Sequence, residues 1–561
     1  MKSRTSFFNP TVFRKDITRF APAWVLYFIG GVLVALNTAT SDSGNTTYEL
    51  YQLLPLAAIV SLLYGLINAQ LLFGDLLSKK MCNALHAMPI RRETWFITHF
   101  AAGILFQFVP NTLFAFFMGC FMGQYWYLAL LWLLATTAQY LFFFSVAIFC
   151  ITCTGQRFAG VALYGLVNFL SMLAMWFVNS FYTPLLKGIV LSNRVFNYFS
   201  PAVQLIGLEG DYVRFTHYLS DVDHRMHYEF KGYGDSWWYL IAVAAAAVVF
   251  AVAALLLYRR RKLERAGDFI AFRWLEPAFS ILLTLCAGAF LQLLFGSVFM
   301  FVGFIIGFYV SQMLLQRKVN IFKKKTFITL GIFAGVMVLS LVLTALDPLG
   351  ITRWTPKVQQ VKSVALTDDY NYDPLENDPY YLIALEDDAA IEDVIEIHEM
   401  LIKEGFNHNR TSLVSGVYTP RRGVTLVYTL ENGQTVSRSY YYDTDSQISA
   451  ALKKFYTRPE FIMGYTNWDH FIQNATEVSI DNKTVNGQQA QGLLEALKSD
   501  CEAGAIYTLE YKYSDVLFFV EFRYGDKFRN VGISTDCKNT IEYVNTHFPD
   551  WKEWNSSQKY S

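Results

Sequence analysis

The sequence predicts a polytopic α-helical membrane protein of about nine transmembrane helices, followed by an extracytoplasmic α+β domain. Three observations carry that expectation. Long apolar segments fill the first three-fifths of the 561 residues, and only 16% of the chain is charged, against about one quarter in an average soluble protein. Lys and Arg are concentrated in alternate loops between those segments, which sets an orientation as well as an insertion. The charge balance then reverses: residues 1–346 hold 26 basic and 14 acidic side chains, whereas 347–561 hold 20 and 32. Such a split reads as a membrane domain joined to a polar tail domain. No basic stripe with interleaved aromatics occurs away from the bilayer segments, so nothing supports nucleic-acid binding.

Residues 1–22 are expected to form a cytoplasmic interfacial helix. Phe13, Ile17 and Phe20 share one helical face, while Arg14, Lys15 and Arg19 spread around the others. The stretch contains Asn9-Pro10 and no continuous apolar core, so the first span is expected to serve as an uncleaved anchor. The transmembrane domain covers 23–346, with candidate spans at Ala23–Leu36, Leu53–Phe73, Phe100–Phe121, Tyr127–Cys150, Phe158–Val178, Trp238–Tyr258, Phe279–Leu294, Val298–Leu315 and Phe327–Leu346. With the N-terminus inside, the cytoplasmic loops carry Lys79, Lys80, Arg91 and Arg92, then Arg157, then the run from Arg259 to Arg273, then Arg317 to Lys325. The loops Asn37–Gln52 and Met122–Trp126 and the turn Phe295–Ser297 carry neither Lys nor Arg. An odd number of spans puts the last domain outside.

Inside the spans the polar exceptions are Asn68, Gln70, Gln107, Asn111, Gln139, Asn168 and Gln292, with Pro110 expected to kink its helix. Ionisable groups that would mark an ion-coupled pathway are lacking there, and amides more often hold helices together. Cys150 and Cys153 form a CxxC at the end of an apolar segment, where two small buried side chains are the expected reading.

The loop Asp75–His99 is the most informative. Ser78 can cap a short helix that Pro89 ends, and Met81, Ala84, Leu85 and Met88 follow a helical spacing that makes an apolar stripe on a basic loop. Arg91, Arg92 and Glu93 come directly after. A stripe this short forms no core of its own. It rests either on the membrane or in a groove of another protein.

The stretch Leu72 to Phe100 (LFGDLLSKKMCNALHAMPIRRETWFITHF) resembles the segment between the second and third spans of permease subunits of ABC-2-type ABC transporters. The run Tyr258 to Ala278 (YRRRKLERAGDFIAFRWLEPA) is similar to bacterial permeases of this kind with large external domains. The resemblance implies that Met81, Ala84, Leu85, Met88, Pro89, Arg91, Arg92 and Glu93 belong to a coupling helix that docks a separate ATPase subunit. It also implies a second permease subunit, identical or related, as partner in the lipid bilayer of the cell membrane. The chain departs from the usual six-span pattern by three spans and the external domain. No GxxxxGK[ST] phosphate loop occurs, so ATP binding is expected of the partner and not of this chain.

The external loop 180–236 contains His217, Asp221, Asp223, His224, His227 and Glu229. His224 and His227 could share a helical face with an acid, but the spacing matches no strong signature and no metal or cofactor is expected. From about Trp354 the chain changes character. Asp387 or Asp388 can cap a helix whose Ile391, Val394, Ile395, His398, Leu401 and Ile402 form one face, with Gly405 as its stop. Val424–Leu430 and Thr435–Tyr442 alternate around Glu431-Asn432-Gly433-Gln434, a hairpin signal, and a helix near Ile448, Leu452 and Phe455 follows. The order recurs with a helix around Leu493 and Leu497, strands Tyr507–Tyr513 and Val516–Tyr524, and a helix around Ile541 and Val544. Two helix–hairpin–helix units fit this order. Cys501 and Cys537 are the domain's two cysteines and could form a disulfide in an oxidising compartment. Neither a catalytic motif nor a regular calcium loop occurs at Asp368-Asp369 or Glu386-Asp387-Asp388. The expected function is that of a non-catalytic permease subunit of an exporter-type ABC complex. The alternative is a membrane receptor whose external domain binds a ligand such as an antimicrobial peptide without transport.

Overall fold

A computed structural model describes residues 7–39, 46–88, 90–189, 193–207, 212–219, 226–262, 265–318, 321, 324–367, 382–406, 421–444, 446–466, 468, 472, 475, 477–481, 483–485, 487–506, 516–524 and 527–551. The chain divides into two compact units: Met1–Val178 with Asn193–Val336, and Asn179–Ser192 with Met337–Ser561. Pro89, Asp221, Asp223, His224, Asp368, Asp369 and Tyr507–Tyr513 lie outside the described residues, as do the side chains of Leu85, His217, His227 and Glu229.

The first unit opens with α1 (Pro10–Arg19), capped by Asn9 Oδ1, which accepts from Thr11 and Val12, with Pro10 at the first helical position. Its face of Phe13, Ile17 and Phe20 packs on the unit's core, and its basic side chains point out. Then follow α2 (Ala21–Ala39), α3 (Thr46–Gln52), α4 (Leu54–Phe73), α5 (Lys79–His86), α6 (Arg92–Phe121), α7 (Tyr127–Cys153), α8 (Arg157–Asn168), α9 (Leu170–Phe181), α10 (Asn193–Tyr198) and α11 (Pro201–Gly207). The strands β1 (Val213–Leu219) and β2 (Met226–Tyr233) precede α12 (Trp237–Arg260), α13 (Glu276–Phe295), α14 (Ser297–Gln316) and α15 (Lys324–Leu346). Among the described residues eight helices are long and apolar enough to cross a membrane. The fifth expected span is instead a pair, α8 and α9, bent by 61°.

Each irregularity inside this apolar bundle is answered by a side chain. Pro110 has no N–H for the carbonyl of Phe106, and Tyr64 Oη donates to that oxygen at 3.2 Å. At the break between α8 and α9 the Asn168 carbonyl receives Ser200 Oγ at 2.9 Å. A span can be interrupted in an apolar surround only if the freed backbone groups find such partners. Amides do join helices: Asn68 donates to Tyr140 Oη, Tyr140 donates to Gly103 O, and Asn111 joins Tyr27 to Thr136. α13 and α14 form a tight hairpin because Gly303 and Gly307 leave no Cβ where Ala287 and Thr284 approach; a Cβ on Gly303 would lie 2.5 Å from Ala287 O.

The loop after α11 yields the antiparallel pair β1–β2, in which Phe215 faces Phe230 and both pack on the core. That pair is absent from the sequence expectation, although Val213, Phe215, Tyr228 and Phe230 follow a strand-like alternation.

The second unit contains two lobes of the same order. In the first, β3 (Val361–Thr367) precedes α16 (Asp388–Glu404), β4 (Arg421–Leu430), β5 (Thr435–Asp443) and α17 (Gln447–Tyr456), and the sheet runs β3-β4-β5. Asp387 caps α16 by accepting from Ala390 N. The turn to β5 has Gly433 at φ +82°, a conformation that suits glycine. Gly405 ends α16 with an ordinary φ of −69°; its smallness is needed because a Cβ would lie 2.5 Å from Leu401 O. Next come α18 (Pro459–Thr466), β6 (Glu477–Ile480), β7 (Lys483–Val485), α19 (Gln488–Glu502), β8 (Val516–Tyr524), β9 (Lys527–Ser534) and α20 (Lys538–His547), with sheet order β7-β6-β8-β9. The hairpin partner of Val516–Tyr524 is thus Lys527–Ser534. In both lobes a strand ahead of the long helix, β3 or β6, pairs antiparallel with the first hairpin strand, and in the second lobe β7 is added between β6 and the helix as an edge strand. The segment 187–189 of the long loop joins the first lobe, where Ser439 N donates to Gly188 O and Lys187 Nζ to Ile402 O.

His398 on α16 is fully buried between two tyrosines, with Nε2 3.0 Å from Tyr440 Oη and Nδ1 3.1 Å from Tyr428 Oη. Burial, helped by the Arg438 cation, lowers its pKa from 6.5 to about 3. The unfolded chain therefore takes up a proton below pH 6.5 that the folded unit refuses. This contribution is intact above the unfolded pKa and is lost, by about 1.4 kcal/mol per pH unit, as pH falls toward the folded value. Hydrogen exchange of α16 and β5 amides in the full-length protein should speed up between pH 6.5 and 4.5, after correction for intrinsic exchange. His398→Gln should flatten that slope by about one proton.

Candidate functional site

The helix ends that carry the Arg and Lys clusters meet at one end of the first unit. Arg261 is its centre. This side chain is 4% exposed, and its guanidinium donates from Nη1 to Ile151 O (3.0 Å) and Thr152 O (3.2 Å) and from Nη2 to Leu76 O (3.1 Å). Ile151 and Thr152 lie in the last turn of α7, where carbonyls run short of helical donors (Ile151 O also receives the capping Thr154 N at 3.3 Å), and Leu76 lies in the single 3₁₀ turn that ends α4. A cation at two converging helix C-termini also meets the negative ends of their dipoles. Burial lowers the Arg261 pKa from its ordinary value, while the group stays charged.

Around this centre the chain is laced together. Arg92 Nη1 donates to the carbonyls of Arg259 and Arg261, and Glu93 Oε1 accepts from Arg259 Nε at 2.6 Å. The segment 265–271 lies along 153–156: Gly267 N donates to Gly155 O, Ala271 N to Cys153 O, and Gln156 Nε2 to Gly267 O. Gly155 is required for that approach, since a Cβ there would be 2.4 Å from the carbonyls of Arg265 and Asp268. Asp268 holds Arg265 at 3.1 Å and Arg317, at the end of α14, at 2.8 Å. On the near side His99 Nδ1 lies 2.6 Å from the buried Asp16 of α1. The starts of α6, α8 and α13 and the ends of α4, α7, α12 and α14 are therefore at one end of the unit. At the other end Tyr239 donates to Tyr198 O, Trp237 to Tyr212 O and Tyr51 to Leu128 O. Between Arg157 and Trp237 the chain passes from the basic end to the aromatic end.

On the basic end sits α5. Ser78 is extended and its carbonyl accepts from Cys82 N, as at a helix start. Cys82 is 1% exposed and anchors the helix, whereas Met81 and Met88 are 39% and 45% exposed and Ala84 is exposed too. Of the sequence-derived stripe, Met81, Ala84 and Met88 are thus exposed, while the Leu85 side chain lies outside the described residues. Met88 lies beyond the helix, which ends at His86. Lys79 lies over Gly267, so the base of α5 rests on the 265–271 segment. Of the remaining docking candidates, Arg91 is exposed, while Arg92 and Glu93 are engaged within the chain. Sequence reasoning read Arg261 only as one of several loop cations; no local pattern separates it from exposed Arg259 and Arg260. Cys501 and Cys537 lie in one core cluster of the second unit as free thiols, and burial raises both above the ordinary thiol pKa, Cys501 to about 12. Among the described residues no group of three or more His, Cys, Asp or Glu is arranged to hold a metal. In comparisons with family models, curated proteins and solved structures, nothing matches this chain.

Replacing Arg261 by Gln exchanges three guanidinium hydrogen bonds to buried carbonyls for at most two, with Ile151 O still met by Thr154 N. The expected loss is about 2–4 kcal/mol, against less than about 0.5 for Arg260→Gln, which is exposed. Thermal unfolding of the two variants in detergent, side by side, measures the difference.

Proposed function

We propose that this protein is the permease subunit of an ABC transporter complex, in which ATP hydrolysis by a separate ATPase is coupled to movement of a substrate, with export as the direction. The reading is supported by the outward-facing apolar residues Met81 and Ala84 of α5 and Met88 just beyond it, set among the exposed cations Lys79, Lys80 and Arg91. A groove with apolar walls and an acidic rim on the ATPase would match that surface. In this reading the Arg- and Lys-rich end faces the cytoplasm, as the distribution of basic loops favours, and the C-terminal unit faces outward to receive or gate the substrate.

The lacing of the basic end fits such a role. A load on α5 passes to α4 and α6 through the chain itself, and through Lys79 and Gly267 to the segment that Asp268 ties to α14. Helix ends joined by hydrogen bonds move as a body, so the force is shared by several spans. A second copy or a related subunit completes the membrane assembly.

Met81→Asp combined with Met88→Asp places two carboxylates on the proposed dock while leaving the buried Cys82 anchor in place. Co-purification of the soluble ATPase with the variant is expected to fall by about tenfold or more relative to wild type. Equal recovery would remove the dock. ATP-dependent flux in vesicles separates this reading from that of a ligand receptor, which would signal without flux.

A further inference from the structure

The hairpin α13–α14 and the first half of α15 line a half-open cavity of about 810 Å³, within the range of small-molecule sites. Its two sides differ in chemistry. One carries a chain of polar side chains running inward from the basic end: Gln316 Nε2 donates to Gln312 Oε1 (3.2 Å), Gln312 Nε2 to Ser280 Oγ (3.2 Å), and Ser280 Oγ shares a hydrogen with Ser311 Oγ (2.6 Å). Thr284, one turn deeper, also lines the cavity. From Glu276 to Thr284 the helix rises by about 12 Å. On α15 the lining is Thr326 and Thr329 near the helix start and then the apolar Ile332, Phe333 and Val336. At the mouth stand Arg273 and Glu276, one helical turn apart, and among the described residues neither has an ion-pair partner.

A water-soluble ligand would leave Ile332, Phe333 and Val336 uncovered, and a plain hydrocarbon would leave the two charges unmatched. We infer that the cavity binds a phospholipid with a zwitterionic phosphoethanolamine head, its phosphate on Arg273, its ammonium on Glu276 and an acyl chain along Ile332, Phe333 and Val336. Arg is suited to the phosphate by its forked donors. A cation and an anion three residues apart at one mouth suit a head in which phosphate and ammonium are separated by two carbons. The Gln316–Gln312 pair gives the glycerol oxygens exchangeable partners below the head. This inference does not depend on the transport reading.

The test uses the full-length protein in nanodiscs doped with a photoactivatable phosphatidylethanolamine, its labelled peptides identified by mass spectrometry. Label should concentrate in 273–284 and 326–336. It should be displaced about tenfold better by unlabelled phosphatidylethanolamine than by phosphatidylglycerol, and not by soluble glycerophosphoethanolamine. Arg273→Gln should reduce the labelling itself. Glu276→Gln should abolish the preference while keeping the label, a change that misfolding cannot produce. Equal displacement by the two lipids in the wild type, or labelling indifferent to both substitutions, would mean ordinary surrounding lipid and overturn the site. Displacement by the soluble head alone would overturn the lipid assignment.

Discussion

A carbonyl freed from its helix inside an apolar bundle has to be met by a donor, and this requirement organises the first unit. Where two helices end together, Arg261 supplies the donors to Ile151, Thr152 and Leu76. Where proline interrupts α6, Tyr64 meets Phe106, and where the span from Arg157 breaks, Ser200 meets Asn168. An unmet group in such surroundings costs several kcal/mol, more than most single contacts contribute. The donors are therefore as much a part of the architecture as the apolar faces.

Because Arg261 draws the ends of α4, α7 and α12 to one point, the basic end of the unit is a built surface and not a set of separate loops. The 265–271 segment laid on Gly155 and the Asp268 pair to Arg317 extend it to α13 and α14. α5 stands on that surface with Cys82 beneath and its methionines outward. An exposed apolar edge on a rigid base is what a docking element needs. Its stiffness comes from the hydrogen bonds behind it, not from α5, which at eight residues would be marginal as a helix alone.

The second unit solves a different problem, the burial of two sheets by short helices. His398 sits in the first lobe as a neutral, doubly bonded group between Tyr428 and Tyr440. In the second lobe the buried Asp500 accepts from Asn539 N, Asn539 Nδ2 and Thr540 N and so caps α20. The two lobes share a strand–helix–hairpin–helix order, apart from the added β7 in the second, while using different polar contacts. Low residue identity between them is consistent with that, since order is carried by apolar periodicity and the polar contacts are local choices.

The sequence by itself determined what periodicity and composition can encode. That includes the apolar spans, the segregation of Arg and Lys, the capped helix at Asp387, the hairpin at Gly433 and the apolar stripe at Met81, Ala84 and Met88. Each depends on neighbours within a turn or two of chain. Only the tertiary structure decided that Arg261 is buried while Arg259 and Arg260 are exposed, that Arg92 and Glu93 turn inward, that β3 and β6 extend the hairpins, and that the span after Arg157 is broken. These outcomes depend on groups far apart in the chain, such as Leu76 with Arg261 or Asn168 with Ser200, whose meeting no local pattern records. Periodicity shows which face of a helix is apolar. Which carbonyl at its end needs a partner, and which side chain reaches it, follows only once the helices are packed.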